Sequence, residues 1–339
     1  MGKKIEVGVI GCGHLGKLHI KNLKEIEKES NDVSVIGTYD IDLNKSKLAS
    51  TELNAKAFDT LDTLLENINT AIIVTPTSTH FEIANKIITQ DINVFIEKPV
   101  TDDINDAKKL LKQSKGKDIK IQIGHIERFN PAILSLEQYN LAPLFIETHR
   151  LAQFNPRGTD VSVIQDLMIH DIDIILNLVK SNVKTINANG ASIITDKIDI
   201  ANVRIKFDNG CVANITSSRI SQHKMRKMRI FQHNAYISID FSQNSSEVFR
   251  LVEKEKDKSK SLEPMFSLGT IKRGGKELQI VYEQPKIEES NPMKYEQNKF
   301  FNCIRKGSEP EVQLKDGIQA LEVATKINEE VEMSLKEIK

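Results

Sequence analysis

The chain has 339 residues, 39% of them hydrophobic, and its 47 basic residues balance 47 acidic residues, which gives a formal net charge of zero. That length suggests two domains of ordinary size, and the balanced charge does not fit the basic surface of a nucleic-acid-binding protein. We expect a cytoplasmic protein, because no signal peptide or membrane-spanning apolar run stands out and the cysteines show no disulfide or zinc-binding spacing.

The first predicted strand, Ile5 to Ile10, runs into a glycine-rich turn, and a helical pattern follows from Leu15 to Ile26. In a dinucleotide-binding site the first glycine allows a sharp turn, the second lets the backbone approach the pyrophosphate, and the third lets the helix pack closely. The amino end of the helix then offers N–H groups to the phosphates. Glycine-rich turns also occur without a cofactor. We predict that the cofactor contacts Gly11, Gly13, His14, Leu15 and Gly16.

The second predicted strand, Val33 to Tyr39, ends at Asp40, which lies 24 residues beyond the last glycine of the turn. This spacing is close to that of the acidic residue that hydrogen-bonds the adenosine ribose in such sites. Asp40 and Asp42 would repel the 2′-phosphate of NADP, so NAD is favoured, although Lys45 and Lys47 follow nearby. The alternative is that Asp40 is a turn residue after a strand.

Strands and helices alternate along the rest of the first 125 residues. Strands are predicted at Thr70–Val74, Asn93–Ile96 and Ile119–Ile123, and helices at Leu48–Ala55, Leu61–Ile68, Phe81–Thr89 and Asp106–Ser114. This alternation indicates a parallel, doubly wound sheet, in which ligands bind at the carboxyl ends of the strands. Polar loops follow two of these strands, so we predict further cofactor contacts from Thr75, Pro76, Thr77, His80, Glu97 and Lys98. The alternative for Lys98 is a surface lysine in a turn.

Beyond residue 126 the pattern changes to few helices and many short strands. Helices are predicted at Pro131–Tyr139, Val163–Val179, Lys294–Lys306 and Asp316–Ile338. Strands are predicted at Leu144–Leu151, Ile200–Phe207, Cys211–Ser217, Met228–Phe231, Tyr236–Phe241, Val248–Val252 and Leu278–Tyr282. Asn209-Gly210 indicates a β-hairpin, and the polar stretch Glu253–Gly275 is expected to be a solvated loop. We therefore predict an α/β protein, with an N-terminal Rossmann domain and a C-terminal α+β domain that has a large, mainly antiparallel, open sheet.

Two polar residues on the predicted helix Val163–Val179 are candidates for catalysis. Asp166 and His170 are four residues apart and so lie on one face of a helix. A carboxylate and an imidazole together can bind a sugar hydroxyl and take its proton, since histidine titrates near neutral pH. The same pattern fits a buried, hydrogen-bonded histidine beside an exposed aspartate. A metal site that adds Asp173 is less favoured, because no third-ligand signal stands out.

Arg128, Arg150 and Arg157 occur in the segment that leads into this helix. Arginine forks suit phosphate groups, so Arg157 is a candidate diphosphate ligand if the substrate is a nucleotide sugar. The alternative is a salt-bridged surface arginine. His125 and His149 could join the site, although a histidine at the end of a strand is more often a hydrogen-bonded core residue.

Together these residues resemble the Gfo/Idh/MocA family of NAD(P)-dependent oxidoreductases, which act on sugars, cyclitols and nucleotide sugars. The resemblance covers nearly the whole chain and includes Gly11–Gly16, Thr75–His80, Glu97–Pro99, the Asp166/His170 pair and Lys315–Ile327. It implies that Lys98 is the active-site lysine and His170 the acid/base. It also implies that Asp166 orients the histidine or binds a substrate hydroxyl.

Within the family, Gly124–Pro131 and Asp166–Asp173 are similar to stretches of the UDP-N-acetylglucosamine 3-dehydrogenases. Those enzymes form a 3-keto nucleotide sugar that an aminotransferase converts to the 3-amino sugar of some lipid A. The resemblance implies NAD-dependent oxidation of UDP-N-acetylglucosamine (UDP-GlcNAc). Substrate contacts are then expected from Lys98, Arg128, Asn130, Arg157, Asp166 and His170. The alternatives are a dehydrogenase for a free sugar or cyclitol, such as glucose or inositol, and a non-catalytic NAD-binding regulator.

These inferences divide the chain into three parts. Residues 1–125 form the Rossmann domain, residues 126–290 the substrate and oligomerisation domain, and residues 291–339 the helices that in this family pack back on the Rossmann domain. A broad antiparallel sheet with one open face suggests a homodimer or homotetramer, because such a face must be covered or polar. No nucleic-acid partner is expected.

Overall fold

The structure, a computed structural model, describes residues 4–156, 161–253 and 265–337. The chain divides into a first unit, Met1–Phe129 with Ser290–Glu322, and a second unit, Asn130–Glu289 with Val323–Lys339. The α-helices are α1 (His14–Glu29), α2 (Leu43–Leu53), α3 (Leu61–Leu65), α4 (His80–Thr89), α5 (Ile104–Ser114), α6 (Pro131–Leu134), α7 (Ile169–Val179), α8 (Pro292–Lys306) and α9 (Leu314–Glu337).

The described residues of the first unit form a six-stranded parallel sheet. Its strands are β1 (Ile5–Ile10), β2 (Val33–Tyr39), β3 (Lys56–Ala57), β4 (Thr70–Ile73), β5 (Asn93–Glu97) and β6 (Ile121–Gly124). Their order is β3-β2-β1-β4-β5-β6, and every neighbouring pair is parallel. The predicted doubly wound sheet is confirmed. The order reverses between β1 and β4, and ligands of such sheets bind in the crevice at this point.

Apolar side chains cover both faces of this sheet, because its short apolar strands leave neither face polar. On one face, Ile73 packs in a cluster with Leu110 of α5. On the other face, Phe95 packs in a second cluster with Ile20 of α1 and Phe300 of α8. The helix α8, which comes late in the chain, is thus part of the core of the first unit.

The described residues of the second unit form a nine-stranded sheet. Its strands are β7 (Phe145–Leu151), β8 (Val183–Ala191), β9 (Ile200–Phe207), β10 (Val212–Ser218), β11 (Met225–Gln232), β12 (Ala235–Asp240), β13 (Ser245–Glu253), β14 (Met265–Arg273) and β15 (Lys276–Glu283). Their order is β14-β15-β13-β12-β11-β7-β10-β9-β8, and β7 with β10 is parallel while the other neighbouring pairs are antiparallel. The predicted mainly antiparallel sheet is confirmed. So is the hairpin of β9 and β10, whose turn residue Gly210 has a φ of +90°.

Five aromatic side chains, which we call the aromatic row, lie side by side across the second sheet. The strand register places them opposite one another: Phe145, Phe231, Tyr236, Phe249 and Tyr282. Neighbouring ring centroids are 5.7, 5.0, 5.7 and 4.8 Å apart, a range that favours aromatic pairing. The row is half-buried or exposed, whereas the next residue along each strand is buried: Ile146, Ile230, Ile237, Val248 and Val281. The row therefore lies on the more open face of the sheet.

The prediction of a helix over Pro131–Tyr139 is wrong beyond the first turn, since α6 ends at Leu134. The hydroxyl of Ser135 donates to the carbonyl oxygen of Ala132 at 2.9 Å. Such side-chain bonds to the backbone compete with continued helix. Tyr139 instead donates its hydroxyl to Glu283 of β15, at 2.8 Å.

The stretch predicted as a loop over Glu253–Gly275 contains a strand. β14 pairs with β15 along its length, so the loop prediction is wrong for Met265–Arg273. Phe266 pairs with Tyr282 and Ile271 with Leu278, with an irregularity between Ser267 and Gly269. This pairing outweighs the polar composition of the stretch. Residues 254–264 lie outside the described residues.

Candidate active site

The glycine-rich loop joins β1 to α1 at the carboxyl edge of the parallel sheet. Gly11 has a φ of +99°, and a Cβ there would lie 2.5 Å from the carbonyl oxygen of Val74. A Cβ on Gly16 would lie 2.0 Å from the carbonyl oxygen of Gly11. The backbone itself therefore requires both glycines, one for the turn and one for the close approach of the helix.

Gly13 differs from these two glycines. Its φ is −67°, which any residue can adopt, and a Cβ there would meet nothing within 4 Å. It is also the N-cap of α1 and makes no side-chain capping bond, so the first N–H groups of the helix, from His14 and Leu15 onward, are not capped by it. Open space over a glycine at a helix amino end fits a pyrophosphate, so this loop fits the predicted dinucleotide.

Asp40 lies beside this loop, at the end of β2. One of its carboxylate oxygens accepts the backbone N–H of Cys12 at 2.7 Å, and the other accepts that of Asp42 at 2.9 Å. A carboxylate has about four acceptor positions, so two such bonds leave capacity for a ribose hydroxyl. Ribose binding by Asp40 stays a prediction, and its location next to Cys12 is compatible with it.

His80 joins the loop after β4 to the loop after β5. Its ring nitrogens lie 2.9 Å from the carbonyl oxygen of Thr75 and 3.0 Å from that of Pro99. Burial lowers the pKa of His80, although the two carbonyl contacts favour the protonated ring. The imidazole is therefore used within the protein to hold these loops together. Nearby Pro76 is exposed and Thr77 half-buried, and their cofactor contacts stay predictions.

Glu97 is a buried carboxylate immediately before the half-buried Lys98. Its Oε1 lies 2.8 Å from Nε2 of His19, and its Oε2 accepts the backbone N–H of Lys98 at 3.2 Å. The other ring nitrogen of His19 lies 2.9 Å from the amide nitrogen of Gln297. The sequence predictions missed both His19 and Gln297. The position of His19, three residues after Gly16, was a usable signal, whereas nothing in the sequence points to Gln297.

Asp166 and His170 lie on consecutive turns in the second unit, and both are half-buried. Asp166 is within a π-helical segment, Ile164–Met168, and His170 is in the first turn of α7. The continuous α-helix predicted over Val163–Val179 is therefore wrong at its start. π-helical segments occur frequently at functional sites.

A buried ion pair anchors α7 to the second sheet. Nε and Nη2 of Arg150 donate to the two carboxylate oxygens of Asp171 at 3.0 and 2.9 Å. The fork of Arg150 thus binds the residue next to His170, and its role is structural. His149 points to the opposite face of β7 from Arg150, because side chains alternate along a strand, so it does not join His170. His125 belongs to the first unit, where it is buried.

The remaining predicted substrate residues have structural contacts of their own. Arg128 donates from Nη1 to the carbonyl oxygen of Glu311 at 3.3 Å. Asn130 caps α6, and its Oδ1 accepts the N–H of Ala132 at 3.0 Å. Arg157 lies outside the described residues. Substrate binding by Arg128, Asn130 and Arg157 stays a prediction.

The described residues contain no group of three or more histidine, cysteine, aspartate or glutamate side chains that could hold a metal ion. Within the same ranges, no helix combines the length and the apolar character needed to cross a membrane. The thiols of Cys12, Cys211 and Cys303 are buried and free, and burial raises the pKa of Cys211 to about 11. The Cys211 thiol therefore stays protonated at neutral pH.

Two family models match the chain. Residues 5–125 match the oxidoreductase family GFO_IDH_MocA, NAD-binding Rossmann fold. Residues 135–238 match the GFO/IDH/MocA C-terminal domain. The two matches together cover more than half of the chain.

Individual relatives agree with these matches. A UDP-N-acetylglucosamine 3-dehydrogenase from Acidithiobacillus ferrooxidans is 37% identical over 246 residues, which is 72% of this chain and 77% of the relative. A solved structure of the enzyme of that name from this organism has a TM-score of 0.84 at 31% identity and covers 97% of this chain and 98% of its own. The scyllo-inositol 2-dehydrogenase (NAD(+)) of Bacillus subtilis is 26% identical over 241 residues, 66% of this chain and 70% of the relative. The resemblance seen in the motifs is thus confirmed, and the chain belongs to the Gfo/Idh/MocA family of NAD(P)-dependent sugar and nucleotide-sugar dehydrogenases, with an NAD-binding Rossmann domain.

Proposed function

We propose that this protein uses NAD⁺ to oxidise the 3-hydroxyl of UDP-GlcNAc, or of a closely similar nucleotide sugar, to the ketone. The observation that carries the proposal is the 37% identity to a relative named UDP-N-acetylglucosamine 3-dehydrogenase. The inositol dehydrogenase of Bacillus subtilis is less similar, at 26% identity. The stretches Gly124–Pro131 and Asp166–Asp173 support the same choice, because both resemble the nucleotide-sugar enzymes.

The chemistry removes a hydride from C3 and a proton from the 3-hydroxyl. NAD⁺, when bound, supplies the hydride acceptor. His170 accepts the hydroxyl proton, and Asp166 orients the imidazole or holds a substrate hydroxyl. Lys98 positions the reacting oxygen and stabilises the negative charge that develops on it.

The cofactor is proposed to lie along the glycine-rich loop. The loop and the first turn of α1 would hold the pyrophosphate through Gly11, Gly13, His14, Leu15 and Gly16. Asp40 would bind the ribose and disfavour NADP. The residues at the ends of the next two strands would contact the rest of the cofactor: Thr75, Pro76, Thr77, His80, Glu97 and Lys98. The open space over Gly13 supports this placement.

The diphosphate of the substrate is proposed to contact Arg128, Asn130 and Arg157, since guanidinium groups suit phosphates. Residues 1–125 would then serve mainly the cofactor, residues 126–290 the substrate and oligomerisation, and residues 291–339 the support of the Rossmann domain. The product would be consumed by an aminotransferase that makes a 3-amino sugar, as in some lipid A-type glycans.

A substrate panel tests this function. The purified protein is incubated with NAD⁺ and UDP-GlcNAc, free GlcNAc, glucose or myo-inositol, and the absorbance of reduced nicotinamide is followed. We expect turnover of UDP-GlcNAc, with a carbonyl-trapping reagent added to pull the equilibrium towards the ketone. His170→Ala should lower kcat by about 100-fold or more, because general-base catalysis contributes about 10²–10⁴ in rate.

NADH titration of the same preparations serves as the control. His170→Ala should bind NADH like the wild type, because His170 belongs to the second unit. Turnover of inositol without turnover of UDP-GlcNAc would assign the enzyme to the free cyclitols. Tight NADH binding with no turnover of any substrate would favour a regulator.

A further inference from the structure

A chain of buried hydrogen bonds runs from α8 through α1 to the end of β5. The amide nitrogen of Gln297 lies 2.9 Å from Nδ1 of His19, and Nε2 of His19 lies 2.8 Å from Oε1 of Glu97. Oε2 of Glu97 accepts the backbone N–H of Lys98 at 3.2 Å. The side chains of Gln297, His19 and Glu97 and the backbone N–H of Lys98 are therefore linked one after another by hydrogen bonds.

The donors and acceptors along this chain have a defined direction. The amide nitrogen of Gln297 also lies 3.4 Å from the carbonyl oxygen of His19, which can only accept, so the NH₂ end of the amide faces the histidine. Nδ1 of His19 is then an acceptor, and the ring proton sits on Nε2, where it donates to the carboxylate of Glu97. Gln297 thereby selects the tautomer that His19 needs.

Burial makes these bonds necessary. His19 and Gln297 are fully buried, and Glu97 is 8% exposed. A carboxylate in such a position is costly unless it is hydrogen-bonded on its oxygens. Gly124 of β6 supplies the space, since a Cβ there would lie 2.9 Å from Oε2 of Glu97.

We propose that His19 and Gln297 are positioning residues for the active-site lysine. They hold the carboxylate of Glu97, which in turn holds the backbone of Lys98 at the carboxyl end of β5. This inference rests on the catalytic role proposed for Lys98. It adds to that role two fully buried residues from α1 and α8, which would act on the lysine through Glu97.

The first test measures the lysine directly and needs no turnover. Lysine amines of the cofactor-free protein are labelled with trace acetic anhydride, and the labelling rate of each lysine is read by peptide mass spectrometry. In His19→Leu the labelling rate of Lys98 should change by about threefold or more, because the acylation rate of a lysine amine depends on its local environment. His19→Gln keeps an N–H donor and should restore most of the wild-type rate.

Asn93→Ala is the matched control at the opposite end of β5. Its side chain donates to the carbonyl oxygen of Asn69 at 3.0 Å and accepts the N–H of Lys120 at 2.9 Å. The substitution therefore removes two hydrogen bonds from the same strand without touching Glu97. Its labelling rate at Lys98 should equal that of the wild type.

Turnover provides the second readout. If UDP-GlcNAc is a substrate, His19→Leu should lower kcat by about 10–100-fold, because a displacement of about 1 Å in a catalytic group costs up to about 100-fold. The Kd for NADH should rise much less, by about threefold at most, which is about 0.7 kcal/mol, because Glu97 and Lys98 are only two of the proposed cofactor contacts. Gln297→Met, which removes only the amide, is the milder variant if His19→Leu does not fold.

Unchanged labelling of Lys98 in folded His19→Leu or Gln297→Met would overturn the proposal, and so would an equal change in Asn93→Ala. Absence of turnover in the wild type would instead count against the proposed function. The two failures are distinguishable, because labelling is measured on the protein alone.

Discussion

Gly13 and Gly16 belong to the same glycine-rich motif, but they are glycines for different physical reasons. A Cβ on Gly16 would collide with the backbone at 2.0 Å, whereas a Cβ on Gly13 would meet nothing within 4 Å. Gly16→Ala should therefore lower the free energy of unfolding by about 1–3 kcal/mol, as overpacking does. Gly13→Ala should lower the free energy of unfolding by less than about 1 kcal/mol, because alanine is a poorer N-cap than glycine. It should weaken NADH binding about tenfold or more, which is about 1.4 kcal/mol.

Chemical unfolding and NADH fluorescence titration measure these two effects separately. Each variant is the other's control, because both add one methyl group to the same glycine-rich motif. If Gly13→Ala binds NADH as tightly as the wild type, the pyrophosphate does not lie over this glycine.

At the scale of elements, His80 acts between two loops rather than within one. Burial lowers its pKa from the ordinary value of 6.5, so the unfolded chain binds a proton at a pH where the folded protein does not. Stability therefore rises with pH through this window and is lost as pH falls below about 6.5. We expect the denaturant midpoint to decrease between pH 7 and about pH 5, where unperturbed histidine becomes protonated.

His80→Gln isolates this contribution, because glutamine does not titrate. The variant should be less stable than the wild type at pH 7 and should show a shallower decrease on acidification. The pKa values of Asp32 and Asp199 are lowered to about 2. These carboxylates therefore lose their stabilising effect on the folded protein only at lower pH. Parallel pH profiles for wild type and His80→Gln would contradict this assignment.

Local patterns predicted most elements but not all of their boundaries. The apolar strands, the glycine turn and the Asn209-Gly210 hairpin depend on neighbours in the sequence, and all three agree with the structure. β14 was missed because its pairing with β15, not its polar composition, makes it a strand. The π-helical segment around Asp166 was missed because such segments are rare single turns, and five residues are too few to change the helical hydropathy pattern.

At the scale of the whole molecule, the aromatic row predicts how copies of the chain associate. An extended apolar strip on the open face of a sheet is usually covered by a partner. We expect a homodimer or homotetramer that uses this face. Tyr236→Glu, at the centre of the row, should shift the mass in light scattering towards the monomer, because it places a charge between ring neighbours at 5.0 and 5.7 Å.

Thr89→Glu on α4 is the matched control, since it adds the same charge at an exposed position of the first unit. It should leave the mass unchanged. An oligomer that survives Tyr236→Glu, with the variant folded by circular dichroism, would show that the row is not the interface.

The sequence by itself determined the Rossmann topology, the glycine loop, the acidic residue after β2 and the Asp166/His170 pair. Each of these depends on spacing within a short stretch or on the regular alternation of strands and helices. Tertiary structure decided which polar groups meet. His19 and Gln297 are 278 residues apart, and Arg150 binds Asp171 rather than remaining available for a phosphate. Such contacts arise from the packing of whole elements. The pattern of residues along the chain does not specify how close two distant elements lie.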